Sequence, residues 1–174
     1  MTRRPGGLTA VLLLVAGVVT LSAQAPPAAA GASEWRTFTG SWSATGSRHT
    51  LPTGDGAPAA IERLSGAVVI TVGEGVGRGF RGDLIGFDDG RTASVGRWVW
   101  TNERDERIFG EVKGEPVQTG RRFTGTITGG TGRFAGITGT LEFTWQSVVT
   151  TDEGTVQVRA VGLEGRYRRA AGQP

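Results

Sequence analysis

Side chains able to perform acid–base, nucleophilic or metal chemistry are few in this chain of 174 residues. His49 is the single histidine and cysteine is absent, which removes His/Cys dyads, catalytic triads and nearly every zinc or transition-metal site. The acidic pairs Asp88-Asp89 and Asp152-Glu153 each precede a glycine, a pattern typical of solvated turns, and neither offers the spaced oxygen ligands of a calcium loop. The sequence therefore predicts no metal site, and we expect His49 to be exposed beside a long loop.

Two glycine-rich stretches invite comparison with phosphate-binding loops. In "GEGVGRG", residues 73–79, the G-x-G-x-x-G spacing fails at Arg78, and "GGTGR", residues 129–133, lacks the Gly-Lys-Ser/Thr ending of a P-loop. Neither stretch is followed by a helical pattern. Both are interpreted as hairpin bends, and no cofactor is predicted.

Carboxylates within strands are the remaining candidates for general acid–base catalysis. Glu111, Glu142 and Arg159 each alternate with apolar neighbours, so all three are expected to face solvent and no catalytic residue is predicted. A one-residue slip at a glycine bulge would turn a whole strand over. An interior charged cluster formed by these three residues therefore stays open as the alternative.

Large aromatic residues supply the candidate binding site. Alternation places four tryptophans on one predicted face together with Phe38 and Phe143. The interior of a small barrel is either filled by such rings or holds one small ligand between them, and the sequence leaves both alternatives open. The candidate ligand-binding residues are Trp42, Trp98, Trp100, Phe143 and Trp145.

The elements that would position these rings are all β-strands. From Trp35 onward apolar residues alternate with polar residues or glycine, with turn signals at short intervals. About eight strands joined mostly by short hairpins favour a closed antiparallel up-and-down barrel over a sandwich. The long break at residues 49–62 is interpreted as a mobile loop or as a cover for the barrel mouth. Glycines that interrupt the strands would help the sheet to curve: Gly82, Gly86, Gly96, Gly110, Gly114 and Gly125.

The stretch "ITGGTGRFAGITGTLEF", residues 127–143, resembles the allene oxide cyclase and dirigent β-barrel families, which carry a similar Gly-Gly-Thr/Ser-Gly-x-Phe bend between two late strands. Flanking strands extend the resemblance to roughly residues 96–165. It implies an exported, bacterial-type relative with a calycin-like eight-stranded barrel. It also implies an elongated apolar cavity in which a few polar residues steer a reactive intermediate. Homo-oligomers are a further expectation that the resemblance implies.

The same bend has a physical interpretation of its own. Gly129, Gly130 and Gly132 are expected to take positive φ, and Phe134 to fold back as an apolar plug that seals one end of the barrel.

The chain ends predict export. Residues 1–30 have a positive start, an apolar centre and small residues before the expected cut after Ala30 or Ala32; the apolar run is short for a membrane span, so no stable membrane insertion is expected. Residues 31–34 are interpreted as a linker, 35–168 as the barrel and 169–174 as a disordered tail. Without Arg3 and Arg4 the 19 basic residues fall to 17, against 16 acidic ones. This balance gives no basic stripe, which argues against a nucleic-acid partner.

These observations favour an exported, non-enzymatic barrel, periplasmic or extracellular, that binds a small apolar or aromatic molecule in its interior. Two alternatives remain. One is a cyclase-like or dirigent-like isomerase, and the other is an envelope interaction protein that works through the outer surface of its barrel.

Overall fold

Alternation of apolar and polar residues produces eight strands in the computed structural model, which describes residues 34–54 and 56–170. Each strand pairs antiparallel with the next, and the last pairs with the first, so the sheet closes into a barrel. The predicted fold class is confirmed. In chain order the strands are β1 (Arg36–Leu51), β2 (Ala59–Gly73), β3 (Gly79–Asp88), β4 (Ser94–Thr101), β5 (Arg107–Val117), β6 (Gly120–Gly130), β7 (Ile137–Thr150) and β8 (Thr155–Arg169).

The ends of the barrel differ slightly from the predicted boundaries. β8 includes Arg169, which pairs with Ile137, and the Ala170 N–H donates to the Gly136 carbonyl at 3.1 Å. The barrel therefore continues to residue 170 instead of ending at 168. The predicted signal peptide, nearly all of the linker and residues 171–174 of the tail lie outside the described residues. Within the described ranges, no helix has the length and apolar character needed to cross a membrane.

The prediction that all of residues 49–62 form a long loop is wrong. His49 pairs with Ile61 in the β1–β2 ladder, and its exposed position is as predicted. Among the described residues of the segment, only 52–54 and 56–58, which contain its prolines and glycines, leave the sheet. This shorter loop packs against the turn after β3, where a Cβ on Gly90 would lie 2.4 Å from the Pro58 carbonyl oxygen.

Glycines inside the strands make room for aromatic rings from neighbouring strands. A Cβ on Gly82 would lie 2.8 Å from Cε2 of Trp42, and one on Gly110 would lie 2.2 Å from Cζ2 of Trp98. Such separations are far inside van der Waals contact. These two glycines thus leave room on the inner face of the sheet for tryptophan rings from nearby strands, which is a packing role in addition to the curvature expected of them.

One end of the barrel is closed by the glycine-rich bend after β6. A single 3₁₀ turn (Gly132–Phe134) buries Phe134 completely, with its ring centroid 5.8 Å from that of Phe80. The Tyr167 hydroxyl donates to the Glu74 carbonyl at the same end. Phe134 thus occupies the position expected of an apolar plug.

The three glycines of this bend differ in what constrains them. Gly132 at φ 54° and Gly129 at φ 159° both have positive φ, as predicted, but a Cβ added to Gly129 would have no atom within 4 Å. The prediction of a positive φ at Gly130 is wrong, since this residue has a negative φ. Its constraint is close approach, because a Cβ there would lie 2.6 Å from the carbonyl oxygens of Arg107 and Phe134.

Candidate ligand-binding cavity

A cavity of about 400 Å³ opens at the end of the barrel opposite the plug. It lies where β1, β3 and β7 finish and where β2, β4, β6 and β8 begin. Three aromatic rings form its inner wall. The rings of Phe123 and Phe143 stack with centroids 5.4 Å apart and planes at 15°, and Trp145 meets Phe143 edge-on at 5.4 Å.

The five predicted ligand-binding aromatics divide between this cavity and the packed core. Phe143 and Trp145 line the cavity. Trp42, Trp98 and Trp100 are at most 1% exposed and pack against each other, with Trp98–Trp100 centroids 4.7 Å apart and Trp42–Trp100 centroids 6.0 Å apart. The filled core and the aromatic pocket therefore both exist, one in each half of the barrel. Ligand binding by any of the five residues stays a prediction.

Four charged side chains lie at the cavity mouth and form a chain of alternating sign, here called the mouth network. Arg48 pairs with Glu62, and its other terminal nitrogen lies 3.2 Å from Asp88. Arg121 reaches the second oxygen of Asp88 at 2.8 Å. Because Arg121 starts on β6 and Asp88 ends β3, three strands away around the barrel, this ion pair crosses the mouth.

The side chains of the mouth network are largely withdrawn from solvent. Asp88 is 10% exposed and Arg121 is 20% exposed, with Arg48 and Glu62 at 27% and 22%. Charges in such partly buried positions interact more strongly than surface pairs and depend on one another for compensation. The network therefore joins β1, β2, β3 and β6 at this end of the barrel.

The sequence predicts that Asp88 and Asp89 lie in one solvated turn, but the structure places the two side chains in different surroundings. That prediction is wrong for Asp88, which is the last inward residue of β3 and belongs to the network. It is right for Asp89, whose Oδ1 accepts the N–H groups of residues 91, 92 and 93. Hydrogen bonds from the Ala93 and Arg91 backbone hold the pKa of Asp89 at about 2.

Alternation, extended to the ends of the strands, contains the signal that could have found the network. Arg48 is in phase with Trp42 on β1, Asp88 with Leu84 on β3, and Arg121 with Phe123 on β6. A loop over 49–62 and a solvated turn at Asp88-Asp89 would end these strands early, and those two predictions exclude Glu62 and Asp88 from the inward face.

The three strand charges that could have formed an interior cluster face solvent, as predicted. Glu111 pairs with Arg97 at 2.7 Å, and Arg159 donates to the Gln146 side chain at 3.2 Å. Glu142 lies opposite Glu164 in the β7–β8 ladder; a hydrogen bond that the protonated Glu164 carboxyl donates to Glu142, together with repulsion between the two charges, raises the pKa of Glu164.

Two polar atoms of cavity-lining residues have no hydrogen-bond partner among the described residues. They are Oγ of Ser94 and Nη1 of Arg121, both withdrawn from solvent. Within residues 34–54 and 56–170, no group of three or more His, Cys, Asp or Glu side chains could hold a metal ion. Rings, aliphatic walls and a few charges are thus what a molecule in this cavity would meet.

Fold and cavity together define a closed eight-stranded barrel that is filled at one end and hollow at the other. No protein-family model and no curated protein matches the chain. One similar solved structure is that of the pterocarpan synthase dirigent protein GePTS1, with 11% sequence identity over 84% of this chain and 98% of that chain, and a TM-score of 0.44. A likeness this distant assigns neither family nor activity, so membership of the dirigent-like family stays a prediction.

Proposed function

We propose that this protein is an exported, non-enzymatic barrel that binds one small apolar or aromatic molecule in the mouth cavity. The observation that carries the proposal is a cavity of about 400 Å³ walled by the rings of Phe123, Phe143 and Trp145. Ligand sites occupy roughly 300 to 1,000 Å³ and are mostly apolar with a few polar groups. The cavity of this barrel has that size and that composition.

The wall chemistry favours a ligand with a planar or aliphatic body. Leu84, Val112, Val156 and Val158 extend the apolar surface beyond the rings. An apolar body gains free energy by leaving water for this surface, and a ring gains more by stacking or edge-on contact with Trp145.

A neutral dye whose fluorescence rises in apolar surroundings, N-phenyl-1-naphthylamine, tests the proposal directly. Gly86 lines the cavity, and a Cβ there would lie 3.3 Å from the Val95 carbonyl oxygen and 3.4 Å from a Leu84 methyl group. Gly86→Leu is therefore expected to fold and to fill the cavity, and dye binding should weaken at least tenfold. Gly79→Leu makes the same change on β3 away from the cavity, where no atom lies within 4 Å, and should bind the dye normally. Equal binding by both variants would place the dye elsewhere and refute the proposal.

A steering enzyme is the second candidate, favoured by the charges of Asp88 and Arg121 beside aromatic rings. Such groups could polarise a reactive intermediate held against the wall. Mass spectrometry of the molecule that co-purifies from the native envelope, before and after incubation with fresh protein, separates the two functions. Recovery of that molecule unchanged supports binding, and conversion that Asp88→Asn abolishes supports the enzyme.

The outer surface of the barrel favours an interaction function alongside binding, with a second copy of this chain as the partner. Ile61 pairs with Phe87, and Phe87 pairs with Val95, in one row across β2, β3 and β4. These side chains are 45 to 56% exposed, and Ile85 beside them is 62% exposed. A contiguous apolar patch of this kind marks contact sites. Light scattering over a concentration series should detect oligomers that Ile61→Ser dissociates, and a monomer at every concentration would argue against the contact.

Export is tested by the intact mass of the secreted protein. Its first residue should be Gly31 or Ser33, because small residues precede both positions. A chain that still carries Met1 to Ala25 after secretion would contradict the signal-peptide interpretation.

A further inference from the structure

We propose that the mouth cavity selects an uncharged ligand and rejects carboxylates and amines of the same shape. This inference rests on the proposed binding function and narrows its ligand class, since it excludes fatty-acid-like molecules that the apolar wall alone would accept. The charges of the mouth network carry it.

Among the described residues, the mouth network contains every charged residue on the cavity wall, two of each sign: Arg48, Glu62, Asp88 and Arg121. Each carboxylate is already held by an arginine. Asp88 has Arg48 at 3.2 Å on one oxygen and Arg121 at 2.8 Å on the other. Its Oδ1 also accepts the Gly90 N–H at 2.9 Å. The formal charge of these four side chains is zero, and each arginine already has a carboxylate partner.

A charged ligand would disturb this balance in a partly buried space. A carboxylate would place a third negative charge against two arginines, and even at the unpartnered Nη1 of Arg121 it would have to share that guanidinium with Asp88. An amine would place a third positive charge against two acids. Burying a charge without its own partner is costly, and separating an existing buried pair adds to the cost. An uncharged molecule enters without altering any of these pairs.

Neutral does not mean devoid of polar atoms. Arg121 Nη1 and Ser94 Oγ are withdrawn from solvent and have no partner among the described residues. An acceptor oxygen, such as that of a ketone, could bond to either group after a small side-chain rotation while Arg121 keeps its pair with Asp88. The natural neutral probe is therefore an aryl ketone.

Calorimetry at neutral pH on the mature protein, with three naphthalenes of similar size, tests the inference. The probes are 2-acetylnaphthalene, 2-naphthoate and 2-naphthylmethylamine. The ketone should bind, and each ion should bind about tenfold more weakly or worse. Naphthoate binding as tightly as the ketone would overturn the inference. Binding by no probe, the ketone included, would overturn the proposed function as well.

Charge variants distinguish selection by the network from poor fit. Asp88→Asn is nearly isosteric and gives the wall a charge of +1, so naphthoate should tighten about tenfold or more while the amine stays weak. Glu62→Gln makes the same charge change from a different strand and serves if Asp88→Asn folds poorly. Glu111→Gln removes a negative charge from the outer surface, where the Glu111 side chain is 51% exposed, and should leave the order of the probes unchanged. An equal shift in all three variants, or no shift in either cavity variant, would refute selection by the network.

Discussion

Gly110→Ala is the substitution for which the structure predicts the clearest loss of stability. The added Cβ would lie 2.2 Å from Cζ2 and 2.3 Å from Cε2 of Trp98, and 2.6 Å from the Thr126 carbonyl oxygen. Ordinary carbon contacts are about 3.5 to 4.0 Å, so the ring or the strand has to move by more than about 1 Å. Trp98 is 1% exposed and packs on Trp100 with centroids 4.7 Å apart, and it therefore has no free space to enter. Overpacking of this kind costs about 1 to 3 kcal/mol.

Urea denaturation followed by tryptophan fluorescence measures this loss. With an m-value of about 2 kcal/mol/M, a loss of about 2 kcal/mol lowers the midpoint by about 1 M. Gly79→Ala is the matched control, because no atom lies within 4 Å of its Cβ position and its φ is not positive. Its free energy of unfolding should stay within about 0.5 kcal/mol of that of the parent protein, as surface changes usually do.

A double-mutant cycle identifies the ring as the cause. Trp98→Ala alone should cost about 3 to 5 kcal/mol, and in that background the extra methyl of Gly110→Ala enters the space left by the ring. The close contact with the Thr126 carbonyl oxygen remains, so the double variant should lose clearly less than the sum of the two single losses, which gives an interaction energy of opposite sign to the single costs. Additive losses, or an unchanged midpoint for Gly110→Ala, would refute the packing argument.

Three further outcomes are expected. Gly132→Ala should lower the urea midpoint relative to Gly79→Ala, because its backbone has φ 54° and its Cβ would lie 2.5 Å from Oε1 of Glu106; equal midpoints would contradict this. Hydrogen bonds from the Arg133 N–H and from Asn102 lower the pKa of Glu106, so Glu106→Gln should be less stable than the parent at pH 7. Thermal melts should show that this stability difference closes as the pH falls through the lowered pKa. The pKa of Glu164 is raised by Glu142, so the ionised pair destabilises the fold and Glu164→Gln should have a higher melting temperature than the parent at pH 7. This difference in melting temperature should vanish as the pH falls below the raised pKa. A difference that stays constant with pH would show that the pair is not the cause.

Period-two alternation was sufficient to predict the architecture. Each strand turns one set of side chains inward, and Phe38, Trp98 and Leu163, far apart in the sequence, are all buried in one core. The outward facing of Glu111 and Glu142 followed from the same rule. Local pattern succeeds here because a closed barrel has only two faces, and a strand has no other surface on which to place its apolar residues.

Alternation could not show where along the barrel axis the interior is hollow. Trp42 and Trp145 have the same facing, yet one is in the packed core and the other lines the cavity. The difference depends on which neighbours share a level of the barrel, and register shifts such as the one between Gly40 and Trp42 in the β1–β8 ladder change those levels. The mouth network lies where two sequence signals conflict, because the prolines and glycines after residue 51 indicate a loop whereas the phase of Arg48 continues the strand.

The interior has a solid half, where substitutions disturb tight packing, and a hollow half, where substitutions cost little stability. Substitutions at the level of Trp98 and Gly110 are constrained by contacts on all sides, whereas wall positions such as Val158 and Ser94 border empty space. If the cavity binds a ligand as proposed, a lineage could therefore change its ligand by substituting residues of the cavity wall. The packed tryptophan half would continue to maintain the fold. A barrel of this design is suited to divergence in specificity, and selection experiments on mouth positions alone should yield new binding preferences without a compensating stabilising mutation.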